Sequence, residues 1–158
     1  MVHLSHKTLM LIAGVLWLAI GLYLMPLGLR YLEACLTNPG YTPLLALLQG
    51  FVSSPDYALV FIIAVALVIG QMKGRVILSK SANREVTRIR SLPDPSPLLH
   101  LFSGRFYLLM VIMMSLGMAM TLFSVPLDIR GLIDVIVGVA LIQGSLVYLR
   151  SSRAATSA

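Results

Sequence analysis

Two runs without a charged residue, 8–29 and 106–127, decide what this chain is able to become. Each is 22 residues long. As an α-helix each reaches about 33 Å, enough to cross roughly 30 Å of bilayer hydrocarbon. In water such helices need burial on all sides, and the chain has little to bury them with. Of its 158 residues, 58% are apolar and 11% are charged, against roughly 25% charged in soluble domains. The polar side chains do not suffice to cover a soluble surface, so one integral membrane domain is expected.

Two shorter uncharged runs follow the long ones. Residues 57–72 stop at Lys73, and 135–149 stop at Arg150. Their deficit in length is met if flanking Lys and Arg side chains reach outward to the headgroups. The expected fold class is therefore all-α, with four transmembrane helices at about 8–29, 57–72, 106–127 and 135–149. The first run begins after Lys7 like a secretory signal. It lacks a small-x-small cleavage site and is too long for a signal core, so it reads as a mature helix.

The intervening segments have distinct characters. In the loop 30–56, Asn38-Pro39-Gly40 is a turn signal. Residues 42–52 are apolar but too short to span, which predicts a short interfacial or re-entrant helix with Pro43 in its first turn. The segment 73–105 is a basic loop. It carries Lys73, Arg75, Lys80, Arg84, Arg88 and Arg90 with the single acid Glu85 before position 91. Lys80, Arg84 and Arg88 share one face if the helix continues. Basic groups just beyond an apolar run set orientation and meet anionic lipid headgroups or a partner protein, and this placement argues against nucleic acid. Pro93, Pro95 and Pro97 exclude a regular helix across the connector that follows.

A short stretch occurs twice. Residues 26–32 read Pro-Leu-Gly-Leu-Arg-Tyr-Leu, and 126–132 read Pro-Leu-Asp-Ile-Arg-Gly-Leu. Pro26 pairs with Pro126, and Arg30 with Arg130. The short runs share Ala-x-x-x-Gly, as Ala66–Gly70 and Ala140–Gly144, a spacing that lets membrane helices approach closely. The first pair is offset by 100 positions and the second by 74, which places an insertion of 26 in the 33–56 segment. These matches predict two parallel hairpin repeats, because two crossings restore the starting side. Gly14, Gly21 and Gly28 recur every seven residues and predict a close helix contact.

Orientation follows from charge. The side holding both termini and 73–105 sums to about +8, and the other side to −2, which together give the net +6. The positive-inside rule puts the termini and the basic loop in the cytoplasm of a cell with an inner (plasma) membrane.

The residues available for chemistry are few. Arg30 and Arg130 sit on the outward side with Glu33, Asp128 and Asp134 close by. Ion pairs at helical spacing, Arg30 with Glu33 and Arg130 with Asp134, would hold the guanidinium groups as anchors. If incomplete, they leave the arginines to select an anion, and Asp134 is a candidate cation or proton site. Gln71, Gln143, Ser115 and Ser145 are polar groups within or beside the spans and need partners in lipid. Met110, Met113, Met114, Met118 and Met120 crowd one span, but without Cys, His or acid beside them they describe packing rather than a Cu(I) site. His100 stands alone, and Cys35 is the single cysteine, so neither a metal centre nor a disulfide is expected. No phosphate loop, nucleophile elbow or zinc-helix motif is present, and no cofactor is implied.

The sequence thus points to a small channel or transporter for an ion or small solute, working as a homo-oligomer because four short helices enclose little space. The alternative is a non-transporting anchor or assembly subunit that binds a partner or anionic lipid through its basic segment. A membrane enzyme acting on lipid is third, because no acid–base or nucleophile set is visible.

Overall fold

The computed structural model describes residues 3–37, 40, 42–52, 54–91, 96–97 and 104–154. The proline-rich connector with His100 lies outside them apart from 96–97, as does the Asn38-Pro39-Gly40 turn apart from Gly40. The described elements are helical except for one small ladder, in which His3–Leu4 (β1) pairs antiparallel with Ser96–Pro97 (β2).

Helix α1 runs His6–Thr37, 32 residues and so about 48 Å long. Ser5 starts it, with its side-chain oxygen accepting from the Thr8 amide at 3.4 Å and its carbonyl from the Leu9 amide at 3.0 Å. Pro26 lies inside this helix and does not end it. Membrane helices accept interior proline because neighbours re-satisfy the freed carbonyl. Arg30 and Glu33 are therefore helical residues, and the loop expected from position 30 begins only after Thr37.

A short helix, α2 (Pro43–Gln49), follows, with Pro43 in its first turn. Helix α3 (Pro55–Lys73) then continues through a wide π-helical turn, Gly74–Leu78, into α4 (Ser79–Ser91). Together they form one rod of 37 residues. Most of the basic segment 73–105 that is described is thus helix rather than loop. Helix α5 spans Gly104–Leu122 and α6 spans Leu127–Ala154, 28 residues. The last helix is far longer than the 135–149 run suggested, so the expected alternation of long and short spans does not appear.

Among the described residues, three helices are long and apolar enough to cross a membrane: α1, the α3–α4 rod and α6. The described apolar stretch of α5, Met113–Leu122, is shorter.

Helix α6 is the axis of the bundle. Along it α1 packs antiparallel: Gly14 meets Tyr148 and Leu149, Gly21 meets Gly138 and Ile142, and Gly28 meets Gly131 and Val135. The rod packs parallel to α6, with Gly70 on Ile136 and Val139 and Gly74 on Ala140 and Gln143. Buried side chains gather at two levels. One core holds Leu32, Cys35, Leu45, Ala58, Ile62 and Val135, beside α2. The other holds Leu9, Met10, Ala82, Val86, Ile89 and Tyr148, where α4 joins α1 and α6.

The two proline–arginine stretches meet across the α1–α6 seam, but in different local structure. Pro26 is interior to α1, whereas the Pro126 carbonyl accepts the Arg130 amide at 3.0 Å and opens α6. They are not equivalent corners of two hairpins.

Candidate functional site

Among Arg30, Glu33, Asp128, Arg130 and Asp134, Asp128 is the most tightly held. It is fully buried, in the first turn of α6. Its Oδ2 accepts from the amides of Leu44 at 2.7 Å and Leu45 at 3.2 Å, and its Oδ1 from the Ile129 amide at 2.8 Å. One carboxylate therefore caps the start of α2 from another helix while standing at the start of its own. Helix N-termini carry unpaired N–H groups and a partial positive charge, which is what a buried carboxylate requires. These bonds use Asp128 to fasten α2 to the bundle, and they occupy the oxygens that a solute would need.

The arginines make neither of the expected ion pairs. Among the described residues, the salt bridge within 4.0 Å joins Arg88 Nε to Glu85 Oε2 at 2.9 Å, on α4. Arg130 instead lies over the Tyr31 ring, 4.7 Å from its centroid. Such a cation–π contact is worth about 0.5–2 kcal/mol, depending on desolvation. Arg30 and Glu33 are exposed on α1.

Asp134 faces a different environment. It borders a cleft of about 420 Å³ between α1, α5 and α6. Trp17 and Tyr23 line it from α1, Met113 and Met120 from α5, and Val137 from α6. Gly70 of α3 packs against Ile136 and Val139. Asp134 is less than one turn from Ile136, so it stands level with the later half of the 57–72 run rather than beyond its ends. Of the methionines expected to pack, Met113, Met114 and Met120 thus form part of the wall of a cavity.

The mid-span polar groups tie locally or point outward. The Ser145 hydroxyl donates to the Ile142 carbonyl at 2.7 Å within α6. Gln143 is half-buried with its Cβ against Gly74, and Gln71 and Ser115 are exposed. Ala66 and Ala140 are buried, and Gly144 carries the Trp17 ring.

The basic helix has two faces. Ala82, Val86 and Ile89 are buried against α1 and α6. On the other face, Lys80, Arg84 and Arg90 are exposed, while Arg88 is half-buried and paired with Glu85. Lys73 and Arg75 are exposed just before it. Arg75, Ser79, Lys80, Asn83, Arg84 and Thr87 together line a shallow depression. No group of three metal-ligating side chains occurs among the described residues.

Sequence reasoning missed two features of this arrangement. One is a small-residue stripe on α6, Gly131, Gly138, Ser145 and Ser152, which repeats every seven residues as Gly14, Gly21 and Gly28 do and is buried throughout. The spacing was visible in the chain. The other is the cap that Asp128 provides to α2, for which no local signal exists, since the two partners are separated by 84 positions.

No family model matches this chain, and no curated protein or solved structure matches it either.

Proposed function

We propose that this chain is a polytopic, non-catalytic membrane subunit that holds a basic helix against the phosphate groups of anionic lipid at one membrane face. The observation that carries this reading is the unbroken rod Pro55–Ser91. Its first half is apolar and of spanning length. Its second half is fixed on one side by a buried apolar face and presents Lys80 and Arg84, with Arg75, on the other. A rigid cluster of guanidinium and ammonium groups at the end of a spanning helix is suited to phosphate oxygens, each basic group near an anionic surface adding about 1 kcal/mol. By the positive-inside rule that face is cytoplasmic, with both termini on the same side of an inner membrane.

The experiment is a lipid-dependent stability measurement. Purified protein in neutral detergent is titrated with phosphatidylglycerol or with phosphatidylcholine, and thermal unfolding is followed. The expected result is stabilisation by the anionic lipid alone, weakened by salt and lost in an Arg75→Gln, Lys80→Gln, Arg84→Gln triple variant. Equal stabilisation by both lipids, or a triple variant that responds like the wild type, would overturn the reading. An unresponsive wild type would leave a protein partner as the occupant of the basic face.

Channel or transporter activity calls for a watered path that reaches Arg30 or Arg130. Backbone lies on backbone along the α1–α6 seam, and the cleft in the bundle is apolar and reaches Asp134 instead. Solute movement would therefore run between copies of a homo-oligomer. A flux assay on reconstituted wild-type, Arg30→Ala and Arg130→Ala protein tests it, since unchanged flux in both variants removes the arginines from any path.

A further inference from the structure

The cleft beside Asp134 has a chemistry that the phosphate-docking face does not share, and it lies on another part of the molecule. Its walls are aliphatic, aromatic and thioether groups, and Asp134 is the one carboxylate among them. Among the described residues no hydrogen bond or ion pair is made by that carboxylate. The nearest cation in sequence, Arg130 one turn earlier, is placed over Tyr31. The Arg130 charge still acts on Asp134 from that distance, but without direct contact. A carboxylate at membrane depth that no cation touches is costly and marks a functional position. An apolar cavity of this size with one convergent charged group has the form of a small-molecule site.

We propose that this cleft binds a single amphiphilic organic cation, with its positive charge on the Asp134 carboxylate and its apolar body between Trp17, Tyr23 and the α5 methionines. Charge complementarity selects the sign of the ligand. The aromatic rings favour a diffuse cation over a small hydrated one, because their π-faces attract a poorly solvated charge. Met113 and Met120 adapt to the ligand's shape through flexible thioether side chains. Neutral lipid tails would fill the same walls but leave Asp134 unpaired.

The chain supplies its own reporter, since Trp17 is its one tryptophan and lines the cleft. The full-length protein in neutral detergent is titrated with tetraphenylphosphonium, and with triphenylphosphine oxide as a neutral aromatic counterpart, while Trp17 emission is recorded. Saturable quenching by the cation is expected, with far weaker binding of the neutral compound. Asp134→Asn should lower affinity for the cation about tenfold or more and leave binding of the neutral compound unchanged. Gly117 offers a second, structurally mild variant. It lines the cleft from α5, and nothing lies within 4 Å of the position a side chain would take. Gly117→Leu should occupy the cavity and abolish quenching by either compound while the protein stays folded. Cation binding unaffected by Asp134→Asn would overturn the proposal, as would binding that persists in Gly117→Leu. Equal affinity for the cation and the neutral compound would also overturn it and identify the cleft as a filled lipid contact.

Discussion

Gly28 and Gly131 touch backbone to backbone: a methyl group on Gly28 would sit 2.7 Å from the Gly131 carbonyl oxygen and 2.8 Å from the Val135 nitrogen. The same relationship recurs one heptad along, where Gly21 faces the Gly138 carbonyl at 2.8 Å. Two helices with small residues every seven positions approach until their backbones meet, which maximises dispersion contact where lipid supplies no hydrophobic drive. Neighbouring backbone cannot yield as a flexible side chain does. Gly28→Ala and Gly21→Ala should each destabilise the bundle by about 1–3 kcal/mol, the usual cost of overpacking. Gly117→Ala, in open space, should be neutral or slightly stabilising. Thermal unfolding in detergent separates them, and equal midpoints for Gly28→Ala and Gly117→Ala would refute the close seam.

The carboxylate of Asp128 holds α2 by its first-turn amides, so the substitution to test is Asp128→Asn. The amide side chain keeps the size but loses the charge and one acceptor oxygen, and cannot serve Leu44, Leu45 and Ile129 together. The expected cost is about 1–3 kcal/mol, that of leaving buried donors unsatisfied. The effect should be local. Hydrogen exchange at the Leu44 and Leu45 amides should accelerate well before exchange in the α1–α6 seam, and unchanged exchange there would show that α2 is held by packing alone.

How far the fold is legible in the chain depends on what each residue's surroundings consume. The uncharged runs and Gly14, Gly21 and Gly28 are local signals and mark membrane helices and a packing face. The ends of those helices are not local. Counting charges cuts α6 at residue 135, because Asp128, Arg130 and Asp134 look like loop residues. In the structure Asp128 is spent on a cap and Arg130 on a ring, so the helix starts at Leu127. Pro26 and Pro126 show the same limit. The residue type and the neighbouring Leu are alike, yet one sits mid-helix and the other opens a helix, because the elements packed around them differ. The cleft at Asp134 needs α5 to lie across two other helices, which no spacing within α5 reveals.

The turn from α5 to α6 stores a small strain at Ser124, whose φ is +48°. The Val125 amide reaches back to the Met120 carbonyl at 3.0 Å, closing a helix end that ordinarily places glycine at this position. A side chain with Cβ in the left-handed region costs about 1 kcal/mol. Ser124→Gly should therefore raise stability by up to about that amount, and Ser124→Val should lower it, because a β-branched residue tolerates this conformation poorly. A stability change of the opposite sign in either variant would show that the turn differs in solution.

Tyr148 is fully buried where α1, α4 and α6 meet, and its ring lies 5.8 Å from that of Trp17 at an interplanar angle of 50°. Among the described residues its hydroxyl has no hydrogen-bond partner. A buried hydroxyl left unpaired costs about 1–3 kcal/mol, while the ring that carries it contributes favourably through packing. The two contributions separate in two variants. Tyr148→Phe removes only the oxygen and should leave the unfolding midpoint unchanged or raise it, with Trp17 emission unaltered. Tyr148→Ala removes the ring and should cost about 3–5 kcal/mol and shift Trp17 emission, because a large cavity opens beside the indole. If Tyr148→Phe were instead destabilised by more than about 1 kcal/mol, the hydroxyl would have a partner whose loss is being read. Glu85 and Arg88, the charged residues nearest to it in their effect on the phenol, would then be the groups to replace next.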